Sequence, residues 1–130
     1  MALQMFQVEL LATTYRLSRG EPMVDNYIQG LIDREPADSP IKYQFLDRMR
    51  FDCNYLTGDS GPKYRIGDFL WADNVEDQID NMKALWNSFS EEGKPEWLSM
   101  EQIDKYKEQL VEIEQADKSR MRSQPERGEL

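Results

Sequence analysis

Four carboxylates, Glu101, Asp104, Glu108 and Glu112, recur every three or four residues along "SMEQIDKYKEQLVEI". At helical spacing, successive members stand about 5–6 Å apart on one face. A second set, Glu76, Asp77 and Asp80, lies in "NVEDQIDNMKALWNSF". Such carboxylates could hold a hard cation, work as an acid–base pair, or present a charge ladder resembling a nucleic-acid strand. No window supplies D-x-[DN]-x-[DN]-G with a glutamate at the twelfth position, which excludes an EF-hand. A glycosidase needs two carboxylates facing each other across a cleft, and outward positions on a helix argue against that. Two readings stay open, a solvated helix face and a face offered to a basic groove.

Nucleophilic chemistry is poorly supplied. The chain contains no histidine, which removes the usual general base and every triad built on imidazole. "GDSGP" in the loop after Thr57 echoes a serine-protease nucleophile loop, but that chemistry requires the missing histidine. The same loop lacks GxxxxGK[ST] and is no phosphate cradle. Cys53 is the only cysteine, so an internal disulfide and a multi-cysteine zinc cluster are both excluded. Its place in an apolar stripe marks it as a core residue. The residues predict a protein that is not an enzyme and that uses no metal or cofactor.

The 130 residues carry a net charge of −9. Such a chain is repelled by DNA, RNA and anionic membranes, so a protein with a basic surface is the expected partner, with no direct nucleic-acid or membrane binding. No apolar run reaches the length needed to cross a bilayer. The first residues lack a basic n-region and place Glu9 within their apolar part, so no signal peptide and a cytoplasmic location are expected.

The elements that must position these groups read as helices, giving a mainly α, single-domain bundle of four to five. Residues 1–20 fit a helix, or a strand by the alternation of Phe6, Val8 and Leu10. Val24, Tyr27, Ile28, Leu31 and Ile32 predict a short helix after Pro22. Ser39 as cap with Pro40 at the first turn opens a longer one, with Ile41, Phe45, Met49 and Cys53 as its stripe, Leu46 and Leu56 widening it, and Gly58 at its end. Asp73 with Glu76 suggests the next start, and Val75, Ile79, Met82, Leu85, Trp86 and Phe89 its packed face. Ser99 and Gln102 form a capping box, with Leu98 and Ile103 as a hydrophobic staple and Ile103, Tyr106, Leu110 and Ile113 facing inward. Trp71 and Trp97 flank helix starts, as loop anchors or partner-facing aromatics. The domain is expected over residues 1–113, with 114–130 as a frayed or disordered polar extension.

Three segments, "YQFLDRMRFDCNYLTG", "LWADNVEDQIDNMKALWNSF" and "GKPEWLSMEQIDKYKEQL", resemble the large polyvalent protein-associated domains of integrative elements and phages. The resemblance spans Lys42 to Leu110 and rests on Asp52-Cys53, Leu70-Trp71-Ala72, Pro95-Glu96-Trp97-Leu98 and Met100-Glu101. The loop "DSGPKYRIGD" departs from the family pattern, and Asp73 stands where it has glycine. The resemblance implies a mobile-element context beside antirestriction and DNA-processing modules, and carries over no catalytic residue. Charge and context together suggest an inhibitor of host defence, of anti-CRISPR or antirestriction type, whose partner is a CRISPR effector or restriction enzyme. The candidate contact residues are Glu101, Asp104, Glu108, Glu112, Glu76, Asp77, Asp80, Trp71 and Trp97. A scaffolding module of a conjugative element is the alternative.

Overall fold

A computed structural model describes residues 24–122 of the chain, and the expected N-terminal helix or strand lies outside them. Four α-helices account for most of the described residues: α1 Asn26–Arg34, α2 Pro40–Thr57, α3 Val75–Ser88 and α4 Met100–Arg122. A short 3-10 turn, Ile66–Phe69, interrupts the connection between α2 and α3. No strand occurs among the described residues, as the mainly α expectation requires.

Helices α1, α3 and α4 start where a side chain satisfies a free amide of the first turn. The Asp25 carboxylate accepts the Tyr27 N–H at 2.8 Å and opens α1. Ser39 and Pro40 open α2, although the Ser39 hydroxyl donates to Glu35 at 2.8 Å instead of capping. The reciprocal box at α4 is complete. Ser99 Oγ accepts the Gln102 N–H at 3.1 Å, and Gln102 Oε1 accepts the Ser99 N–H at 2.9 Å.

At α3 the expected start is corrected by one residue. Asn74, not Asp73, is the cap, with its Oδ1 accepting the Asp77 N–H at 2.9 Å. Gln78 then turns fully inward, in a position that the charged register around Asp73 did not suggest.

The helices α2, α3 and α4 pack on one another, and α1 lies against α3. The core holds Leu46, Met49, Cys53 and Leu56 of α2, Val75, Ile79, Met82 and Leu85 of α3, and Ile103 and Leu110 of α4. Ile28 and Leu31 close it from α1. Leu46, Met49, Cys53 and Leu56 are buried as the expected stripe requires, and only the start of α2 differs, where Ile41 and Phe45 are half-buried while Lys42 is buried. The Lys42 stem fills core space and its ammonium donates to the carbonyls of Ala37 at 2.6 Å and Ser88 at 3.4 Å.

The C-terminal expectation also changes over residues 114–122, and residues 123–130 lie outside the described residues. Helix α4 runs through Arg122, nine residues beyond Ile113. Glu114 Oε2 accepts the Val75 N–H at 3.0 Å, and Asp117 Oδ2 accepts the Ile66 N–H at 3.1 Å. The polar residues that suggested a frayed tail therefore cap the start of α3 and of the 3-10 turn. After α2 the chain folds back so tightly that a Cβ on Gly61 would stand 1.8 Å from the Tyr55 carbonyl oxygen, so only glycine fits there.

Candidate functional site

Two ties set the relation of α3 to α4. Glu114 meets the first residue of α3, and Lys83, near its end, pairs with Asp104 at 2.7 Å. The helices therefore run antiparallel. Glu76 and Asp80 precede Lys83 by seven and three residues and share its side of α3. Lys83 thus brings Asp104 of the α4 row to the side of α3 that carries Glu76 and Asp80, while Glu101, Glu108 and Glu112 point away from the core. Glu101, Asp104, Glu108 and Glu112 are all exposed on α4, as is Glu76 on α3, and Asp80 is half-buried. The geometry leaves a ladder of carboxylates facing water, with Asp104 already engaged.

Asp77 does not join this ladder. It turns toward α1, where Trp71, Asp25, Asp73, Asp77 and Asn81 border a shallow cleft of about 450 Å³. The Asn74 side-chain amide donates to Asp77 at 3.0 Å, and the Asp25 N–H donates to Asn81 at 2.9 Å. Three carboxylates beside an indole make the cleft electronegative. Among the described residues no group of three or more His, Cys, Asp or Glu side chains is arranged to hold a metal ion.

The two candidate tryptophans stand apart. The Trp71 backbone N–H donates to Asp52 at 3.0 Å, and its ring meets Phe45 edge-on at 6.2 Å. It is half-buried and locks the segment before α3 onto α2. Trp97 is exposed and lies beneath the Arg50 guanidinium, 5.1 Å from the ring centroid. Arg50 in turn pairs with Asp47 at 2.6 Å. Trp86 packs as expected, and its Nε1–H donates to the Leu98 carbonyl at 2.9 Å.

Cys53, Asp52 and Lys42 have acidities shifted by burial, whereas the exposed Asp38 is lowered by its hydrogen bonds to Ser90. Burial pushes the Cys53 thiol up to about 12, so it stays protonated and inert at neutral pH. Burial also raises Asp52, against the lowering effect of its bonds to Gln78 and the Trp71 N–H. Burial lowers Lys42, which nonetheless lies beside the carboxylates of Asp38 and Glu35.

Sequence reasoning missed the polar centre that positions these surfaces. Gln78 Nε2 donates to Asp52 at 3.2 Å and to the Met49 carbonyl at 3.3 Å, while its Oε1 accepts the Ala72 N–H at 2.8 Å. A single amide ties α2, α3 and the Leu70-Trp71-Ala72 segment together. The only available signal was a glutamine within an otherwise apolar helical stripe, between Val75 and Ile79.

A small helical bundle with a carboxylate-rich flank is the class that fold and surface define. The sequence pattern of the large polyvalent protein-associated domain 11 family matches residues 39–110, more than half of the chain, and the protein belongs to that family, which is associated with mobile genetic elements. The matched span begins at the Ser39 cap and ends at the buried Leu110, so it covers α2, α3 and the first half of α4. No curated protein and no solved structure matches the chain. No helix of the described residues is long and apolar enough to cross a membrane.

Proposed function

We propose that the protein is a non-enzymatic inhibitor of a host defence nuclease, of anti-CRISPR or antirestriction type. In this reading the carboxylate flank of α3 and α4 lies in the basic channel that the nuclease uses for nucleic acid. The exposed row Glu101, Glu108 and Glu112 on α4 is the observation that carries it, with Glu76 exposed on α3. These charges share one helix face at steps of seven and four residues, and a channel lined by lysine and arginine attracts such a row as it attracts phosphates. The net charge of −9 steers the encounter. Membership of a mobile-element family supplies a setting in which a defence nuclease is an obstacle.

The test is a cleavage assay against a panel of CRISPR effectors and restriction enzymes, with the chain in excess. Inhibition that weakens with salt, and that is lost on combining Glu101→Lys, Glu108→Lys and Glu112→Lys, is the expected result. Asp104 is kept in that variant because it holds Lys83. Absence of inhibition across the panel, or an inhibition indifferent to the reversed charges, would sink the reading.

A second reading, an interaction or scaffolding module of a conjugative element, is favoured by the exposure of Trp97 beside α2. Contacts made through aromatic side chains would hold at high salt, where a charge-seated complex loosens.

A further inference from the structure

An aromatic band crosses the outer face of α2. Phe51 lies two positions beyond the buried Met49 and two before the buried Cys53, about 200° around the helix from each, so it stands at the crest. Tyr55 is one turn on and meets Phe69 of the 3-10 turn, with ring centroids 6.1 Å apart. Trp97 continues the band on the other side, stacked under Arg50. Phe51 is 67% exposed, Tyr55 47%, Trp97 40% and Phe69 38%. Tyr27, Tyr64 and Met121 are also exposed, but only on and beside α2 do four large aromatic side chains left this open adjoin one another among the described residues, which marks a contact surface.

We infer that this face is a homodimer interface, with a second copy of the chain as its occupant. The argument is electrostatic. A two-fold interface sets each patch against itself, so a surface of one sign is repelled by its own copy. The outward faces of α3 and α4 carry the carboxylate rows and cannot meet themselves. The face of α2 is balanced, with Asp47 and Arg50 paired at 2.6 Å and Arg48 set against the charge of Asp52. It is also self-complementary. An antiparallel crossing at Phe51 sets residue 47 opposite residue 55 of the second copy, which brings the Asp47 carboxylate to the Tyr55 hydroxyl and joins the two Phe51 rings at the axis. The carboxylate flanks stay outside this interface, so the inference goes beyond the inhibitor reading and does not depend on it.

Sedimentation equilibrium on the full chain, from micromolar to sub-millimolar concentration, tests it. A species of twice the 15.4 kDa chain mass is expected, little affected by salt. Phe51→Glu should weaken the dimer at least about 30-fold, as loss of an interface hot spot does, whereas Glu108→Lys should leave it unchanged. Phe51→Cys should give a covalent dimer on mild oxidation, visible on a non-reducing gel, because the two side chains meet at the axis while Cys53 is buried. Should Phe51→Glu alter the far-UV circular dichroism, the cysteine trap decides. A monomer at every concentration, a dimer that survives Phe51→Glu in a folded chain, or a Phe51→Cys protein that forms no covalent dimer overturns the inference.

Discussion

The side-chain amide of Gln78 donates to the carboxylate of Asp52 at 3.2 Å, across the packed seam between α3 and α2. The same carboxylate takes the Trp71 N–H, so one acid orients the segment that leads into α3. Replacing Gln78 with alanine would leave the Ala72 N–H without its acceptor and take a donor from the Asp52 carboxylate. The expected cost is about 1–3 kcal/mol, seen as a lower urea midpoint. An unchanged midpoint would show that water substitutes for the amide.

Asp52 also sets a pH dependence. Burial holds its folded acidity above the ordinary carboxylate value of 3.8, so the folded state keeps the proton more readily than the unfolded chain. Its contribution to stability is fully present below 3.8 and is lost as pH rises through the raised folded value. Asp52→Asn cannot titrate. The stability of the native chain relative to Asp52→Asn should therefore decline from pH 3.8 upward and level off toward neutrality. Paired denaturant titrations across that range check it, and a difference that grows in the native chain's favour as pH rises would contradict the assignment.

Removal of the last turns of α4 should loosen the middle of the chain. Asp117→Ala leaves the Ile66 N–H without its acceptor, at an expected cost of about 1–3 kcal/mol. Glu114→Gln should cost less, because an amide oxygen can still accept the Val75 N–H. Truncation after Ile113 loses both. Hydrogen exchange at the Ile66 and Val75 amides reports the effect directly, and protection that survives truncation would refute it.

Lys42 tests the value of a buried ammonium. Lys42→Met preserves much of the side-chain volume but leaves the Ala37 and Ser88 carbonyls unpaired, at an expected loss of about 1–3 kcal/mol in urea unfolding. Equal stability of the two proteins would mean that desolvating the charge cancels its hydrogen bonds.

How much of this was legible depended on the range of the interaction. The box of Ser99 and Gln102, the Ser39-Pro40 start and the apolar faces of α3 and α4 are local patterns, and the structure contains them. The α3 cap was missed by one residue because Asp73 and Asn74 are both competent caps and adjacent. Lys42 reads as a surface residue until the carbonyl of Ser88 is known to lie beside it. Glu114 and Asp117 suggested a solvated tail because their partners, Val75 and Ile66, are 39 and 51 residues away. Among the candidate contact residues, spacing placed the α4 row correctly on one face. It could not show that Asp77 turns away from Glu76 and Asp80 toward α1, since that depends on where α1 docks.

Three lysines face inward to helix ends: Lys42 to Ser88, Lys94 to the Trp86 and Phe89 carbonyls, and Lys63 to the Leu56 and Gly58 carbonyls. Each ammonium balances the partial negative charge at the close of α2 or α3. That withdraws three of the sixteen basic side chains from the outer shell. Carboxylates at the periphery consequently have fewer basic side chains beside them, so the negative potential close to the surface is less interrupted than the ratio of acidic to basic residues implies.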